Sequence, residues 1–265
     1  MKKITAILIC SVLLVGLLSG CGATAGTSSK EAYDLYQNMS KAMADIKSLD
    51  MDMSAKVDIT MSGSTINTVT TGNIKTVNNS DTDVNMAMNL TTSAMGTDTP
   101  ILAYYTNGIF YMNTSGMKYK MPLSVEDAKK QAGIASTLEF PESAIKDCKV
   151  TDVDGGKKIN LTLDGSAISS LANQALTSMQ ALSPDVTASD LTISDVTCEA
   201  VIDTSNNMLK SYDMVCSIST TVQNNAIAMN MDTSMTINSY NDVTIDLPAD
   251  LDTYADMPTS ALPAN

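Results

Sequence analysis

The sequence predicts an α+β protein that is mainly antiparallel β: a strongly curved sheet, or unclosed β-barrel, of about ten strands with two or three helices over its concave face. Three observations support this prediction. Long segments alternate apolar and polar residues with a period of two, and turn sequences rich in Gly and Asn separate them. The sequence lacks the alternation of strands and helices that is typical of a parallel sheet.

An amphipathic helix is predicted at the start of the folded part. Ser28 and Glu31 have the spacing of a capping box, in which two side chains bond reciprocally to free backbone N–H groups. The apolar residues of segment 29–48 then recur on one helical face. They are Ala32, Leu35, Tyr36, Met39, Ala42, Met43 and Ile46.

The strands begin directly after this helix. From Met51 to Met61 the odd positions are apolar and the even positions polar, as in an antiparallel strand with one buried and one solvated face. Asn107-Gly108 and Ser115-Gly116 are predicted hairpin turns. Further strands are predicted at about 64–78, 82–92, 100–106, 109–111, 117–121, 146–154, 157–164, 190–203, 208–222 and 226–240, and further helices at about 124–137 and 166–182.

Strands of this length cannot form a flat sheet. Twelve residues span about 40 Å at roughly 3.3 Å per residue, and a wide sheet of such strands twists and curls. The concave face must then be filled by the helices, by its own side chains or by a bound guest.

The residue types that are missing exclude several classes of function. The chain of 265 residues contains no His, no Trp and no Arg, so all 16 basic residues are Lys. Without His there is no imidazole base for a nucleophile and no imidazole ligand for zinc. Without Arg there is no bidentate group for phosphate or carboxylate. We therefore expect no catalysis, no cofactor and no metal.

The charge of the chain limits its partners. The formal net charge is -13, and removal of Lys2 and Lys3 with the first twenty residues leaves 14 Lys against 29 acidic residues, or -15. A surface this acidic repels nucleic acid and anionic lipid headgroups. We expect no nucleic-acid partner, and any attachment to a membrane must be covalent or apolar.

The N-terminus has the order of a bacterial lipoprotein signal. Met1-Lys2-Lys3 is basic, residues 4–18 are an apolar run too short to span a bilayer, and Leu18-Ser19-Gly20-Cys21 follows. These last four residues resemble a lipobox, which implies acylation of the Cys21 thiol and cleavage before it. The alternatives are an ordinary signal peptide with a chance cysteine, or an uncleaved anchor.

The predicted organisation follows from these segments. It comprises a signal peptide at 1–20, a lipidated tether at 21–29, one domain at 30–247 and a flexible tail at 248–265. The eight residues from Gly22 to Ser29 extend to at most about 28 Å. The domain is therefore expected to work close to the extracytoplasmic face of the cell membrane.

Three segments carry a resemblance to a known superfamily: the double hairpin of residues 104–122, the segment 150–161 and the closing Val243-Thr-Ile-Asp-Leu-Pro248. With the lipobox and the leading helix, they resemble the LolA-like lipoprotein carriers, the LppX/LprG-type lipid-binding lipoproteins and uncharacterised lipoproteins of Gram-positive bacteria. The resemblance implies an unclosed barrel with helices over its mouth and an apolar cavity for acyl chains. It supplies no catalytic residues. The chain departs from the Lol carriers because it is itself lipidated and lacks Arg.

Methionine is abundant, with 19 residues, whereas aromatic residues make up only 4% of the chain. Because Met adapts to guests of variable shape, we predict that Met and Leu side chains line a ligand cavity. The predicted lining residues are Met51, Met53, Met86, Met88, Met229, Met231, Met235, Leu171 and Met179. The alternative is an ordinary core in which Met takes the place of Leu or Phe. Strand alternation explains the Met-x-Met spacing, so we predict no copper site.

Two cysteines are candidates for a disulfide. If strands 190–203 and 208–222 form a hairpin, Cys198 and Cys216 share a face and lie opposite each other or one step diagonal. An extracytoplasmic protein can keep such a bond oxidised. The alternative is two free buried thiols, and Cys148 is left unpaired in either case.

Together these observations predict a membrane-anchored extracytoplasmic lipoprotein with palmitate or a similar acyl chain on Cys21. It is expected to bind or carry a hydrophobic ligand, a lipid, between the sheet and the helices without catalysis. The alternative is a surface interaction or regulatory module that docks another envelope protein and has a closed core.

Overall fold

A computed structural model describes residues 27–61, 63–80, 83–131, 144–166, 188–222 and 225–257. In these ranges the chain forms one curved sheet of thirteen strands with two α-helices. All strand pairs are antiparallel except the one formed by the last strand of the chain. The two ends of the sheet do not pair with each other. The predicted fold class, an unclosed and mainly antiparallel sheet, is confirmed, with thirteen strands where about ten were expected.

The elements follow the chain in this order: α1 (Thr27–Ala44), β1 (Ser48–Met61), β2 (Ser64–Ser80), β3 (Asp83–Ala94), β4 (Thr97–Thr106), β5 (Ile109–Thr114), β6 (Met117–Pro122), α2 (Val125–Gln131), β7 (Ile145–Val153), β8 (Gly156–Leu163), β9 (Ala188–Ile193), β10 (Val196–Asp203), β11 (Met208–Val222), β12 (Asn225–Tyr240) and β13 (Ala255–Asp256). The strands lie side by side as β13-β6-β5-β4-β3-β2-β1-β12-β11-β10-β8-β7, and β9 pairs with the far part of β11.

Period-two alternation gives the sheet an inner face of buried side chains and an outer face of polar ones. In β1 the residues from Leu49 to Val57 at odd positions are buried, whereas Asp52 and Lys56 are exposed. The turns predicted at Asn107-Gly108 and Ser115-Gly116 join β4 to β5 and β5 to β6. All four of these turn residues have a positive φ, as a tight hairpin requires.

Helix α1 packs across part of the inner face. It contacts β7 and β11, and its buried residues recur at helical spacing: Ala32, Tyr36, Met39 and Met43. Lys157 at the start of β8 contacts Glu31 at 3.3 Å, which places the beginning of α1 beside the β7–β8 hairpin. The helix ends at Ala44, and the chain enters β1 at Ser48. The helix predicted at 29–48 is therefore present but is shifted toward the N-terminus.

One predicted strand is divided in two. The segment predicted as a single strand over 190–203 forms β9 and β10, with a break at Ser194-Asp195. The two parts pair with different stretches of β11, and the Ser194 backbone N–H donates to the Ser217 carbonyl at the break. Alternation continues across such a break, which is why the sequence pattern did not locate it.

The C-terminal segment packs on the edge of the sheet. The chain crosses from β12 to β6, where β13 adds a short parallel strand. Tyr254 is buried and meets the Tyr111 ring edge-on, with the ring centroids 5.5 Å apart, and Lys118 pairs with Asp250. The packed part of the chain therefore extends beyond residue 247, where the sequence analysis placed the end of the domain.

Candidate ligand-binding face

The inner face brings together the seven strand methionines that the sequence singled out. Met53 lies opposite Met235, and Met51 and Met88 lie on either side of Ile74. Met229 and Met235 are partly buried, and the other five methionines are buried in one hydrophobic cluster: Met51, Met53, Met86, Met88 and Met231. Leu171, Met179 and Cys21, which the sequence also singled out, lie outside the described residues.

The inner face consists of two halves with different compositions. The helix-covered half comprises the inner-face residues of β7, β8 and β10. Helix α1 contacts β7 and β11, and β8 and β10 lie between these two strands in the sheet. These three strands contain no methionine. Their buried side chains are mainly branched aliphatic ones: Ile159, Leu161, Leu163, Val196, Cys198, Ala200 and Ile202.

The methionine half comprises the inner-face residues of β12, β1, β2 and β3. It contains the seven strand methionines and most of the buried threonines of the described chain. These threonines are Thr68, Thr70, Thr76, Thr92 and Thr233. In this half, methionines and hydroxyl groups lie among branched aliphatic side chains such as Ile74 and Leu90, whereas β7, β8 and β10 contain no methionine.

The sequence analysis did not identify these threonines. Thr233 and Thr70 lie on either side of Ala55 in one row across the sheet, and Thr92 lies beside Thr70. The Thr70 and Thr92 hydroxyls bond to each other at 2.9 Å. The Thr233 hydroxyl is fully buried and has no hydrogen-bond partner among the described residues. The same holds for the Thr76 hydroxyl, nearer the start of β1. Threonine is common in strands for its β-propensity, so the sequence gives no sign of which hydroxyls lack a partner.

One small residue lies in this row and another in the adjacent row. Ala55 is the smallest buried side chain of β1, and Gly72 faces inward between Met53 and Leu90. A side chain at Gly72 would meet the Asn89 carbonyl oxygen at 2.1 Å, so the close approach of β2 and β3 requires glycine there. We call Ala55, Thr70, Gly72, Thr92 and Thr233 the hydroxyl patch.

A cavity adjoins the methionine half where β3 and β4 meet the start of α2. It has a volume of about 270 Å³, slightly below the range of roughly 300–1,000 Å³ typical of sites for small ligands. Tyr105 lines the cavity, and its hydroxyl donates a hydrogen bond to the Leu123 carbonyl at 3.2 Å. Its lining residues are Asp83, Val84, Tyr105, Asn107, Gly108, Leu123, Ser124 and Val125.

Cys198 and Cys216 are free thiols. Cys198 lies opposite Met214, so Cys216 is one step diagonal from it on the inner face. Burial raises the pKa of both thiols to about 11, although the Tyr212 hydroxyl, which donates to the Cys198 sulfur at 3.2 Å, partly opposes this for Cys198. The diagonal placement is as predicted, and the structure contains the reduced alternative rather than the disulfide.

Charged groups occupy the outer face. No Asp, Glu or Lys is among the buried residues of the described chain, and in those residues no three acidic or cysteine side chains form a metal-binding group. Asp50 illustrates the outer face: burial opposes its ionisation, but hydrogen bonds from Asn238 and Asn73 and the nearby Lys75 lower its pKa overall. The inner face is thus apolar or hydroxylic, and it offers no charge to a ligand.

The described ranges contain no helix long and apolar enough to cross a membrane.

Comparisons with known proteins place the chain in a family and find distantly similar solved structures. The model of a family of unknown function, DUF6612, matches residues 31–255. Similar solved structures include LprF from Mycobacterium bovis, with 14% identity, 84% of this chain and 100% of that chain covered, and a TM-score of 0.49. A putative outer membrane lipoprotein-sorting protein domain from Vibrio parahaemolyticus is also similar, with 7% identity, 85% and 96% covered, and a TM-score of 0.24.

A third similar structure is a DUF1329 family protein from Desulfovibrio piger, with 10% identity, 83% and 96% covered, and a TM-score of 0.29. No curated protein matches the sequence. The resemblance to the LolA-like and LppX/LprG-like superfamily stays a prediction from the sequence, and the family that the comparisons show is DUF6612. Similarities this distant transfer no function.

Proposed function

The chain belongs to the DUF6612 family, and we propose that it is an extracytoplasmic lipoprotein that binds or carries a hydrophobic ligand, a lipid, on the methionine half of its inner face. The proposal includes an acyl anchor on Cys21 and no catalysis. The observation that carries it is the division of the inner face into a branched aliphatic half under α1 and a half of methionine and threonine.

The physical reason is that the two halves suit different partners. A permanent contact is best packed by branched side chains with few rotamers, because such packing is specific and rigid. Met has three flexible bonds and a polarisable sulfur, so it adapts to guests of varying shape. An acyl chain that enters such a face gains about 0.8 kcal/mol for each buried CH₂, so affinity needs no charged group.

A matched pair of variants tests the binding face. Ala55→Leu places a larger side chain on the hydroxyl patch, whereas Ser54→Leu makes the neighbouring change on the outer face. We expect the mature chain to bind a fluorescent fatty acyl probe, Ala55→Leu to weaken binding at least about tenfold, and Ser54→Leu to leave it unchanged. If Ala55→Leu fails to fold, Ala55→Val serves in its place. Equal binding by parent and both Ala55 variants contradicts the assignment of the face.

The anchor has its own test. Labelled palmitate fed to growing cells should appear on the protein, and Cys21→Ala should abolish the label. Cys10→Ala is the matched control, because Cys10 lies in the segment predicted to be removed. Label that persists in Cys21→Ala, or that is absent from the parent, would contradict acylation of Cys21. The proposal for the inner face would be unaffected.

A second candidate function is a surface interaction module with a closed core. The observation that favours it is the burial of the methionine half: Met53, the most exposed of its five buried methionines, retains only 9% of its surface. Crosslinking in cells that recovers one stoichiometric envelope protein, together with a purified protein free of lipid, would favour this candidate over the first.

A further inference from the structure

The hydroxyl patch places an unmet hydrogen-bonding group in the middle of an apolar face. Thr233 is 1% exposed, and its hydroxyl has no hydrogen-bond partner within the described ranges of the chain. The same oxygen is closed to bulk solvent. Such a group destabilises the folded protein unless a bonding partner arrives.

A second hydroxyl group lies across the row. Thr70 and Thr92 share one hydrogen bond, in which one hydroxyl donates and the other accepts, so one O–H of the pair remains available. Ala55, with a small side chain, separates this pair from Thr233. Directly opposed residues on neighbouring strands are about 5 Å apart, so the two sets of hydroxyls are about 10 Å apart.

The surroundings restrict the ligand group that these hydroxyls can bind. No Lys or other charged side chain is buried in the described part of the chain, so a carboxylate or phosphate on the patch would be buried without a counter-charge. A plain hydrocarbon would leave the hydroxyls unpaired. An uncharged oxygen acceptor avoids both costs, because a threonine O–H can donate to it.

We infer that the hydroxyl patch binds the carbonyl of an uncharged acyl ester, with Thr233 as the donor and the hydrocarbon on the surrounding methionines. This inference rests on the proposed function, because it names the ligand group that the same face selects. The ester lies over Ala55, and its chain extends along the row formed by Met53 and Met235. Thr233 is a specificity-determining residue, and no covalent step is involved.

Three probes of nearly equal length test the inference: methyl palmitate, heptadecane and palmitate, each presented to the mature chain and measured by displacement of a fluorescent acyl probe. We expect methyl palmitate to bind about 3–10-fold more tightly than heptadecane, the gain of one net hydrogen bond. Palmitate should bind more weakly than the ester at neutral pH and approach it as the carboxyl is protonated.

Three variants assign the preference to one hydroxyl. Thr233→Val removes the donor at nearly constant shape and should equalise the ester and the hydrocarbon. Thr233→Ser retains the hydroxyl and should retain the preference. Thr236→Val, on the outer face of the same strand, is the matched control and should bind all probes as the parent does.

The outcomes separate the inference from the proposed function. If no probe binds, the proposed function fails and the inference fails with it. If the probes bind but the ester and heptadecane bind equally, or if Thr233→Val retains the preference, only the inference fails. An ester preference that is lost in Thr233→Val and kept in Thr233→Ser supports both.

Discussion

The two halves of the inner face belong to one sheet, yet different residues fill them. On β7, β8 and β10, under α1, the buried side chains are mainly Ile, Leu and Val; on β12, β1, β2 and β3, methionine and threonine share the face. Strand alternation demands only that these positions be buried, and either set satisfies that demand. We propose that this difference reflects what each half contacts: α1 on one side and a variable hydrophobic ligand on the other.

The largest effect should come from truncating one buried side chain in each half. We expect Ile202→Ala, in the helix-covered half, to cost about 2–5 kcal/mol of unfolding free energy, because rigid neighbours cannot fill the cavity. Met88→Ala, in the methionine half, should cost at least about 1 kcal/mol less, since methionines around it can relax. Urea denaturation measures both. Equal costs would mean that the two halves are equally rigid.

The two buried thiols probe whether the methionine half opens. Cys198 lies beside Leu161, whereas Cys216 lies opposite Met231 at the border of the methionine half. Because burial raises the pKa of both to about 11, each holds about a hundredfold less thiolate at neutral pH than an exposed thiol. Alkylation of single-cysteine variants should therefore be slow for both, and at least about tenfold faster for Cys216.

The thiol experiment has a control and a contrary result. Labelling in denaturant should be complete and equal for the two residues, and should need no reductant. Thiols that resist alkylation in denaturant until reduced would show a disulfide. Equal rates in the folded protein would remove the expected difference in opening between the halves.

A smaller effect is expected from replacing the unpaired hydroxyl of Thr233 by a methyl group. Without ligand, Thr233→Val should raise the unfolding free energy by about 1 kcal/mol, because it removes a buried hydroxyl that has no partner. Thr236→Val, on the outer face, should change it little. Thermal denaturation of ligand-free protein measures both. A destabilised Thr233→Val would mean that the hydroxyl is already satisfied in the folded protein.

The smallest effect on stability is expected from a substitution on the outer face. Such a substitution should not change the difference in rigidity between the two halves of the inner face. Burial, then the nearby Glu199 and Asp232, raises the pKa of Asp213, which lies opposite Glu199. A raised carboxyl pKa favours folding below its ordinary value near 3.8, and this contribution is lost as the pH rises through the folded-state pKa.

It follows that Asp213→Asn should stabilise the protein by roughly 0.2–1 kcal/mol at neutral pH, the usual cost of like charges on facing residues. The gain should disappear below pH 3.8. Denaturation at a series of pH values tests this. A gain that persists at low pH would show that packing, not charge, is responsible.

The sequence predicted the parts of this structure that depend on local pattern. Alternation located the long strands, and the seven strand methionines do meet on one face, because period two fixes the face of every residue once strands pair in register. The Asn107-Gly108 turn was likewise predictable, because both its residues need a positive φ.

The remainder depends on contacts between distant segments. The break at Ser194-Asp195 arises from pairing with two stretches of β11, and the docking of Tyr254 on Tyr111 links segments far apart in the chain. The hydroxyl patch could not be foreseen either. Whether Thr233 lacks a partner depends on its neighbours on β1 and β11, and no local pattern encodes that.

The most direct test is native mass spectrometry of residues 22–265, which lack the acylated Cys21 and can be purified from cells without detergent, with organic extraction of whatever is bound. We predict up to one bound lipid molecule per protein, which is released by extraction and is reduced in Ala55→Leu but not in Ser54→Leu. A protein at its polypeptide mass alone, with no extractable lipid and no uptake of added acyl ester, would contradict the proposed binding face.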